Sequence, residues 1–211
     1  MRVFSRYIWR FSLDKKEIYL TFDDGPTPEI TEFVLDELKK YNAKATFFCI
    51  GKNIEKHPEI GLRILKDKHS LGNHTKNHFN GWKTSNTVYL KNIIACEGLI
   101  LKIFEKFNNS NTKGAENVKL NLFRPPYGKL KKRQAKEIFK KGYKIIMWDV
   151  LSADFDTTIS NEKCLQNVLN HTNNGSIIVF HDSAKAAEKV KFVLPKILEE
   201  FSKQGFVFKA I

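Results

Sequence analysis

Cysteine is scarce in this sequence, with only Cys49, Cys96 and Cys164 among 211 residues. An odd number at wide spacing excludes a disulfide framework, and no Cys-x-x-Cys pair is present. Long apolar runs are also missing. No stretch reaches the length of a transmembrane helix, about 20 apolar residues. The first twelve residues contain neither a signal-peptide core nor a small-residue cleavage site. We therefore expect no membrane span and no export signal, with a location in the cytoplasm or at the cell envelope.

Acidic residues are outnumbered, since 36 Lys and Arg against 23 Asp and Glu give a net charge of +13. Such a surface could attract nucleic acid, an anionic membrane or an acidic cell-wall polymer. The basic residues are scattered, however, and the densest stretch, residues 129–141, belongs to no known nucleic-acid-binding motif. We therefore expect solvated charged faces and no nucleic-acid partner.

Strand-like and helix-like patterns alternate along the chain. This alternation predicts an α/β fold with a mainly parallel sheet of about seven strands, either open or closed into a small barrel. In both cases the functional residues should lie at the carboxyl ends of the strands. We place one compact domain at residues 17–211, after a basic and aromatic extension at residues 1–16. The predicted strands are residues 18–23, 45–50, 70–74, 122–125, 144–150, 176–181 and 206–211.

Two adjacent carboxylates, Asp23 and Asp24, follow the first predicted strand and precede Gly25-Pro26. They would repel each other unless the site holds a positive charge or shares a proton, although a surface turn has the same composition. His74 and His78, on a helical turn leaving a strand, would reach one point. With Asp24 they form a His₂Asp set, which leaves a fourth position open as in catalytic zinc sites. Cobalt, manganese or nickel would also suit these ligands.

Three further side chains complete the predicted site. Asp23, which the metal leaves free, is the candidate general base. Arg124, from another strand end, would pair with Asp23, keep it ionised and fix its orientation. His181, at the end of a later strand, would donate a proton to the leaving group. Ordinary alternatives are a surface cation for Arg124 and a core-edge histidine, bonded to Asp182 or to backbone, for His181.

Four segments occur in a recognisable order: Thr-Phe-Asp-Asp-Gly-Pro, His-Thr-x-x-His, Arg-Pro-Pro-Tyr-Gly and a late apolar-His-Asp. From about Ile18 to the carboxyl terminus, the chain resembles the NodB-like polysaccharide deacetylases, carbohydrate esterase family 4. The resemblance implies a distorted (β/α) barrel with a groove over the strand ends. It also implies a hydrolase in which a water on a divalent metal, most often zinc, attacks the N-acetyl group of an N-acetylglucosamine polymer such as peptidoglycan or chitin.

The resemblance also implies roles for individual residues. The backbone N–H of Tyr127 would join the metal in stabilising the oxyanion, with Pro126 and Val179 at the substrate site. At the remaining positions, the implied roles agree with those derived above: the base is Asp23, the metal ligands are Asp24, His74 and His78, the positioning residue is Arg124, and the acid is His181.

Two departures from the family pattern concern the acid and its surroundings. The usual Asp-Ser-x-Asp-Trp motif is replaced by residues 151–155, in which Leu151 and Phe155 stand for the first Asp and the Trp. Val179 stands for a usual Leu. Because Asp149 lies two residues before Leu151 in a predicted strand and shares its face, we predict that Asp149 supplies the carboxylate beside His181. The alternative is that Asp149 bonds Arg124 or local backbone.

Two other functions fit the same fold. An O-acetyl esterase would use the same machinery on a different bond, and a catalytically inactive module would bind sugar without cleaving it. The intact Asp23 and His181 argue against the inactive module. The expected partner is an N-acetylated glycan, and we expect a monomer.

Overall fold

A computed structural model describes residues 6–110 and 121–211 of the chain. Strands and helices alternate along them. The strands are β1 (Glu17–Asp23), β2 (Ala45–Cys49), β3 (Ser70–Asn73), β4 (Leu122–Phe123), β5 (Lys144–Ile145), β6 (Val150–Leu151), β7 (Ile177–His181) and β8 (Val207–Phe208). The helices are α1 (Ile30–Lys40), α2 (Gly51–Lys56), α3 (Pro58–Lys66), α4 (Asn86–Ser110), α5 (Lys132–Lys140), α6 (Asn161–Leu169) and α7 (Ala187–Lys203), with a 3₁₀ turn at Pro126–Gly128.

The strands form one parallel sheet in the order β5-β4-β3-β2-β1-β7-β6, and β8 pairs with the beginning of β1. Alternate side chains of β1 take different environments, as the period of a strand requires. Leu20 and Phe22 pack in the large core beneath the helices, whereas Tyr19 packs in a second cluster with Phe48 and Ile177. The sheet is curled around this inner cluster, and the fold is the predicted distorted (β/α) barrel in a single domain.

The register of the strands places the predicted site residues at one level. Asp23, the last residue of β1, is paired with Phe48 on one side and with His181 on the other. Asn73 of β3 is paired with Phe123 of β4. The residues that follow them, His74 and Arg124, therefore leave the sheet side by side. Because all of these strands are parallel, their carboxyl ends open on the same side of the barrel.

The predicted strand at residues 144–150 is wrong, because the structure divides it into β5 and β6. These two strands lie at opposite ends of the strand order, β5 beside β4 and β6 beside β7. The main chain between them turns towards other partners. The carbonyls of Ile146 and Met147 accept hydrogen bonds from the Arg124 guanidinium, and the Met147 N–H donates to the carbonyl of Ile8 at 2.7 Å. A buried cation therefore interrupts the strand.

Residues 6–13, which we call the N-terminal strap, pack along the barrel. Ile8 forms a parallel bridge with Ile146, and its N–H donates to the carbonyl of Ile145 at 2.9 Å. Further along, the Phe11 N–H donates to the carbonyl of Gly175 at 2.8 Å. Gly175 has a φ of +76°, and a Cβ there would collide with the carbonyl oxygens of the strap. The strap thus connects the end of β5 with the loop that precedes β7.

The sequence has few cysteines and no long apolar runs, and the structure is consistent with both features. The three cysteines, Cys49, Cys96 and Cys164, are free and buried, and all three belong to the large core. Within residues 6–110 and 121–211, no helix combines the length and the apolar character needed to cross a bilayer.

Candidate metal and active site

A buried arginine holds the first carboxylate of the site. Arg124 is fully buried, and its Nη1 donates to Asp23 Oδ1 at 2.8 Å and to Thr21 Oγ1 at 2.7 Å. Its Nε and Nη2 donate to the main-chain carbonyls of Ile146 and Met147 at 3.2 and 2.8 Å. Burial lowers the pKa of Arg124, and the charge of Asp23 opposes that effect. The predicted pairing of Arg124 with Asp23 is therefore present, and it holds the carboxylate through Oδ1 by a charge-assisted hydrogen bond.

Aromatic rings surround the same guanidinium. The Arg124 Cζ lies 4.2 Å from the centre of the Phe48 ring and 5.6 Å from that of Trp148. Such contacts stabilise a cation that is removed from water, and they leave the side chain little freedom to move. Arg124 is therefore a fixed element of the barrel interior rather than a surface cation.

The second carboxylate faces two imidazoles. Asp24 Oδ1 lies 3.6 Å from His74 Nε2 and 3.1 Å from His78 Nε2, and one ligand atom from each of the three residues falls within 4.8 Å of the others. The same Oδ1 is buried and has no hydrogen bond of good geometry. Burial raises the pKa of Asp24, but the contact with His78 and the charges of the nearby histidines outweigh it and lower the pKa to about 2.

The orientation of His74 favours metal binding. Its Nδ1 lies 2.8 Å from the carbonyl oxygen of Arg124, and because a carbonyl only accepts, this nitrogen must carry the proton. The Nε2 lone pair is then directed at Asp24. Burial lowers the pKa of His74 to about 4, against the opposing charges of Asp23 and Asp24, so the ring is neutral near pH 7. A metal-binding histidine is commonly held in this way by its second nitrogen.

These features fit a divalent cation. Asp24 offers an unpaired buried oxygen, His74 is a neutral imidazole with its lone pair turned inwards, and His78 is a second imidazole within reach. The two nitrogens and one oxygen are the donor set of catalytic rather than structural sites, because a fourth position is left open. The cluster of Asp24, His74 and His78 thus has the composition that the sequence predicted.

The local backbone differs from the prediction, however. The two histidines do not lie on a helical turn: no helix is formed between β3 and α4, and Thr75 and His78 have φ values of 64° and 56°. Asp24 also has a positive φ, at 82°. Such conformations cost on the order of 1–3 kcal/mol each and persist only where the surroundings enforce them. Here the Thr75 N–H donates to Asn73 Oδ1 at 2.9 Å, and Asn53 Nδ2 donates to the Asp24 carbonyl at 2.7 Å.

His181 is held by a carboxylate, but the carboxylate is Asp154. The His181 Nδ1 lies 2.8 Å from Asp154 Oδ1, and the His181 N–H donates to Asp154 Oδ2 at 2.6 Å. Burial acts to lower the pKa of His181. The hydrogen bond and charge of Asp154, with the charges of Asp23 and Asp24, outweigh burial and raise the pKa to about 9. The ring is therefore protonated near pH 7.

The predicted contact between Asp149 and His181 is absent, and this prediction is wrong. Asp149 accepts hydrogen bonds from the Ile177 N–H at 2.7 Å and from Ser176 Oγ at 3.1 Å, and its Oδ2 lies 3.7 Å from Arg10 Nε. Asp149 and Leu151 would share a face only in one continuous strand. Because that strand is broken before Val150, Asp149 lies at the amino end of β7, whereas His181 lies at its carboxyl end.

The remaining predicted residues lie around this cluster. Tyr127 is 59% exposed and has a φ of 60°, and its ring centre lies 4.5 Å from that of His78. Pro126, beside it, is buried. Val179, two residues before His181 in β7, is buried as well. On the far side of His181, the ring of Phe155 packs edge-on at 5.2 Å and is 38% exposed, so an aromatic residue borders the site although the tryptophan is missing.

Asp182 is a buried carboxylate whose partners the sequence did not indicate. Rather than bonding His181, it accepts hydrogen bonds from the Gly25 N–H at 2.9 Å and from Thr31 Oγ1 at 2.6 Å. A Cβ at position 25 would collide with this carboxylate, which explains the glycine after Asp24. Burial raises the pKa of Asp182 to about 7. Asp182 therefore supports the turn that presents Asp24.

Comparisons with known proteins agree with the geometry. A family model described as polysaccharide deacetylase matches residues 12–146. A peptidoglycan-N-acetylglucosamine deacetylase of Bacillus cereus is 32% identical over 96% of this chain and 90% of its own length. A second B. cereus protein of the same name is 35% identical over 84% of this chain, which spans only 61% of that relative. A crystal structure of the Bc1960 peptidoglycan N-acetylglucosamine deacetylase, in complex with 4-naphthalen-1-yl-N-oxidanyl-benzamide, superimposes with a TM-score of 0.86 at 32% identity, covering 98% of this chain and 91% of that one.

Proposed function

The chain belongs to the polysaccharide deacetylase family, and on that premise we propose that it removes N-acetyl groups from N-acetylglucosamine units of a peptidoglycan- or chitin-type glycan. The observation that carries the proposal is the pairing of two carboxylates with separate partners. Asp24 faces His74 and His78, while Asp23 beside it is held by Arg124. Adjacent carboxylates with different environments take different chemical roles, and amide hydrolysis needs both a metal ligand and a base.

In this proposal Asp24, His74 and His78 hold a divalent cation, most simply zinc, with cobalt, manganese and nickel as alternatives. Such an ion lowers the pKa of a bound water and polarises the carbonyl of the amide. Asp24 follows β1 and the two histidines follow β3, with β2 between these strands in the sheet. The buried Nδ1 contact of His74 fixes one of the three ligands before binding. This arrangement reduces the ordering that binding would otherwise require.

Asp23 acts as general base. Its Oδ1 is occupied by Arg124, and its Oδ2 lies 4.0 Å from His74 Nε2, on the side of the metal cluster. The free oxygen would take the proton of the attacking water, while Arg124 holds the carboxylate in place. A base that cannot rotate is already oriented when the substrate arrives.

His181 acts as general acid. Asp154 holds its Nδ1, so the proton on Nε2 is the one available to the departing amine nitrogen. The raised pKa, about 9, keeps this proton in place near neutral pH. Transfer of the proton to nitrogen allows the carbon–nitrogen bond to break and releases acetate and a free amine.

Tyr127 contributes through its main chain. It lies inside a 3₁₀ turn that begins at Pro126, and the first N–H groups of a helical turn have no partner inside that turn. Directed at the oxyanion that develops on the acetyl carbonyl, this N–H would stabilise the transition state more than the substrate. Pro126 and Val179 remain proposed neighbours of the substrate. Because one chain supplies every group named here, we also propose that a monomer is sufficient.

Acetate release is the direct test. The purified protein is freed of metal with a chelator and assayed on chitooligosaccharides, peptidoglycan and acetylxylan, before and after addition of zinc, cobalt, manganese or nickel. We expect metal-dependent acetate release from one of the first two substrates and none by the Asp23→Asn protein. Release from acetylxylan alone would favour the O-acetyl esterase. Binding of oligosaccharide without release, under every metal, would favour the inactive sugar-binding module and overturn the proposal.

A further inference from the structure

A strip of exposed and half-buried side chains leads away from the metal cluster on the side of His78. It begins with Tyr127, whose ring packs against that of His78. Lys129 follows two residues later, so its Cα lies at most about 7 Å from that of Tyr127. The Lys129 ammonium is 5.3 Å from the centre of the Trp82 ring, and Trp82 is 60% exposed. We call Tyr127, Lys129 and Trp82 the Trp82 strip.

Trp82 is exposed but firmly held. Trp82 Nε1 donates to the carbonyl of Leu130 at 3.4 Å. The preceding residue, Gly81, lies so close to the Lys129 main chain that a Cβ would collide with its carbonyl, and Gln134 Nε2 donates to the Gly81 carbonyl at 2.9 Å. These contacts tie the loop after the second histidine to the chain after the 3₁₀ turn. A side chain ordered in advance loses little conformational freedom when a ligand binds.

The exposure of an ordered indole needs a reason, because a ring of this size gains from burial. Lys129 lies over the ring, yet Trp82 remains 60% exposed, so much of the indole is open to solvent. This contact stabilises a cation without neutralising it, so the positive charge stays available to an anion. An aromatic surface beside a few placed polar groups is the usual composition of a small-molecule site.

We propose that Trp82 and Lys129 form a subsite for a carboxylate-bearing sugar next to the N-acetyl sugar that reacts. The proposal rests on the proposed function and narrows its substrate, from N-acetylated glycans in general to glycans whose neighbouring sugars are anionic. The indole offers a flat apolar surface to the sugar ring, and the ammonium offers a charge-assisted hydrogen bond to the carboxylate. The excess of positive charge, +13 for the chain, would attract the same substrates.

The test compares two soluble glycan fragments that differ only in charge: a peptidoglycan fragment with free carboxylates, and the same fragment with its carboxylates amidated. A neutral chitooligosaccharide serves as a third substrate. The variants are Lys129→Gln, Lys129→Arg, Trp82→Ala and Trp82→Phe. Lys83→Gln is the control, since Lys83 is an exposed lysine next to Trp82 in the sequence. Melting temperatures confirm that each variant is folded.

We expect Lys129→Gln to raise KM for the charged fragment roughly tenfold, the loss of one charge-assisted hydrogen bond, with kcat unchanged. KM for the amidated fragment and the chitooligosaccharide should stay the same, Lys129→Arg should restore the charged fragment, and Lys83→Gln should match the wild type. Trp82→Ala should raise KM for all three substrates, and Trp82→Phe should recover part of the loss. If Lys129→Gln changes KM equally for the charged and amidated fragments, or changes KM for neither, the subsite is overturned.

Failure of the proposed function would be recognised separately. Binding of each fragment is also measured by calorimetry, which needs no turnover. Charge-selective binding that depends on Lys129, without acetate release by the wild type, would retain the subsite and overturn the deacetylase proposal. Acetate release by the wild type with no Lys129 dependence in KM or in binding would retain the deacetylase proposal and overturn the subsite.

Discussion

Asp154 binds His181 at two points, through the imidazole Nδ1 at 2.8 Å and through the backbone N–H at 2.6 Å. The carboxylate is fully buried, and the two contacts fix both the position and the ring orientation of the histidine. The position at which the family usually has an additional aspartate is Leu151, which is 41% exposed. In this chain the charge that tunes His181 therefore comes from the second aspartate of the motif.

The first prediction concerns the pH dependence of activity. Because Asp154 raises the pKa of His181 to about 9, Asp154→Asn should lower that pKa, and the acid form should be lost at lower pH. The alkaline limb of the kcat/KM profile is expected to move down by about 1–3 pH units. A metal ion beside Asp24 would move the alkaline limb of both proteins to lower pH, but the limb of Asp154→Asn would still lie below that of the wild type.

Asp149→Asn is the control and should leave the alkaline limb in place. A larger shift in Asp149→Asn than in Asp154→Asn would contradict the assignment of Asp154.

The second prediction concerns the metal ligands. His78 is only half-buried, so His78→Ala should fold while losing one of three ligand atoms. We expect its metal content after dialysis, measured by mass spectrometry of the metal, to fall well below one per chain. Zinc should raise the melting temperature of the wild type, since it binds only the folded state, but not that of the variant. Stoichiometric metal in His78→Ala would remove His78 from the site.

The third prediction separates the adjacent carboxylates. Asp23→Asn removes the base while leaving the cluster of Asp24 and the histidines, so it should bind metal normally and lose kcat by a factor of about 10²–10⁴. Asp24→Asn should instead weaken metal binding, and part of its activity should return at high metal concentration. Metal titration and acetate release measured on both proteins decide the matter. If the two proteins respond alike to added metal, the carboxylates do not divide the work in this way.

The fourth prediction concerns the N-terminal strap. Ile8→Pro removes the N–H that donates to Ile145, and it disturbs the chain whose Met147 carbonyl binds Arg124. We expect a loss of about 1–3 kcal/mol in the free energy of unfolding, with a fall in kcat because Arg124 positions Asp23. Trp9→Ala changes an exposed neighbour and should alter neither. Unchanged stability and kcat in Ile8→Pro would show that the strap is an independent extension of the domain proposed at residues 17–211.

Much of the site was readable from short segments of sequence. Strand ends are recognisable where an apolar run meets turn residues, and parallel strands bring those ends to one edge of the sheet. The composition of the metal cluster and the pairing of Arg124 with Asp23 followed from that rule together with charge. Neither depends on the exact path of the chain, because short ligand-bearing segments and a long side chain can reach a common point from several backbones.

What depended on tertiary structure was the choice among equivalent partners. Asp149 and Asp154 are both close to Leu151 in sequence, and strand periodicity favoured Asp149. Only the fold shows that the buried Arg124 guanidinium and the N-terminal strap form hydrogen bonds with the main chain of Ile146 and Met147. These hydrogen bonds break the strand. Strand periodicity then no longer relates Asp149 to Leu151, since it holds only within one continuous strand. The sequence by itself determined which chemical groups are present at the barrel mouth, and the long-range contacts decided which of them meet, because a hydrogen bond between residues far apart in sequence leaves no local pattern.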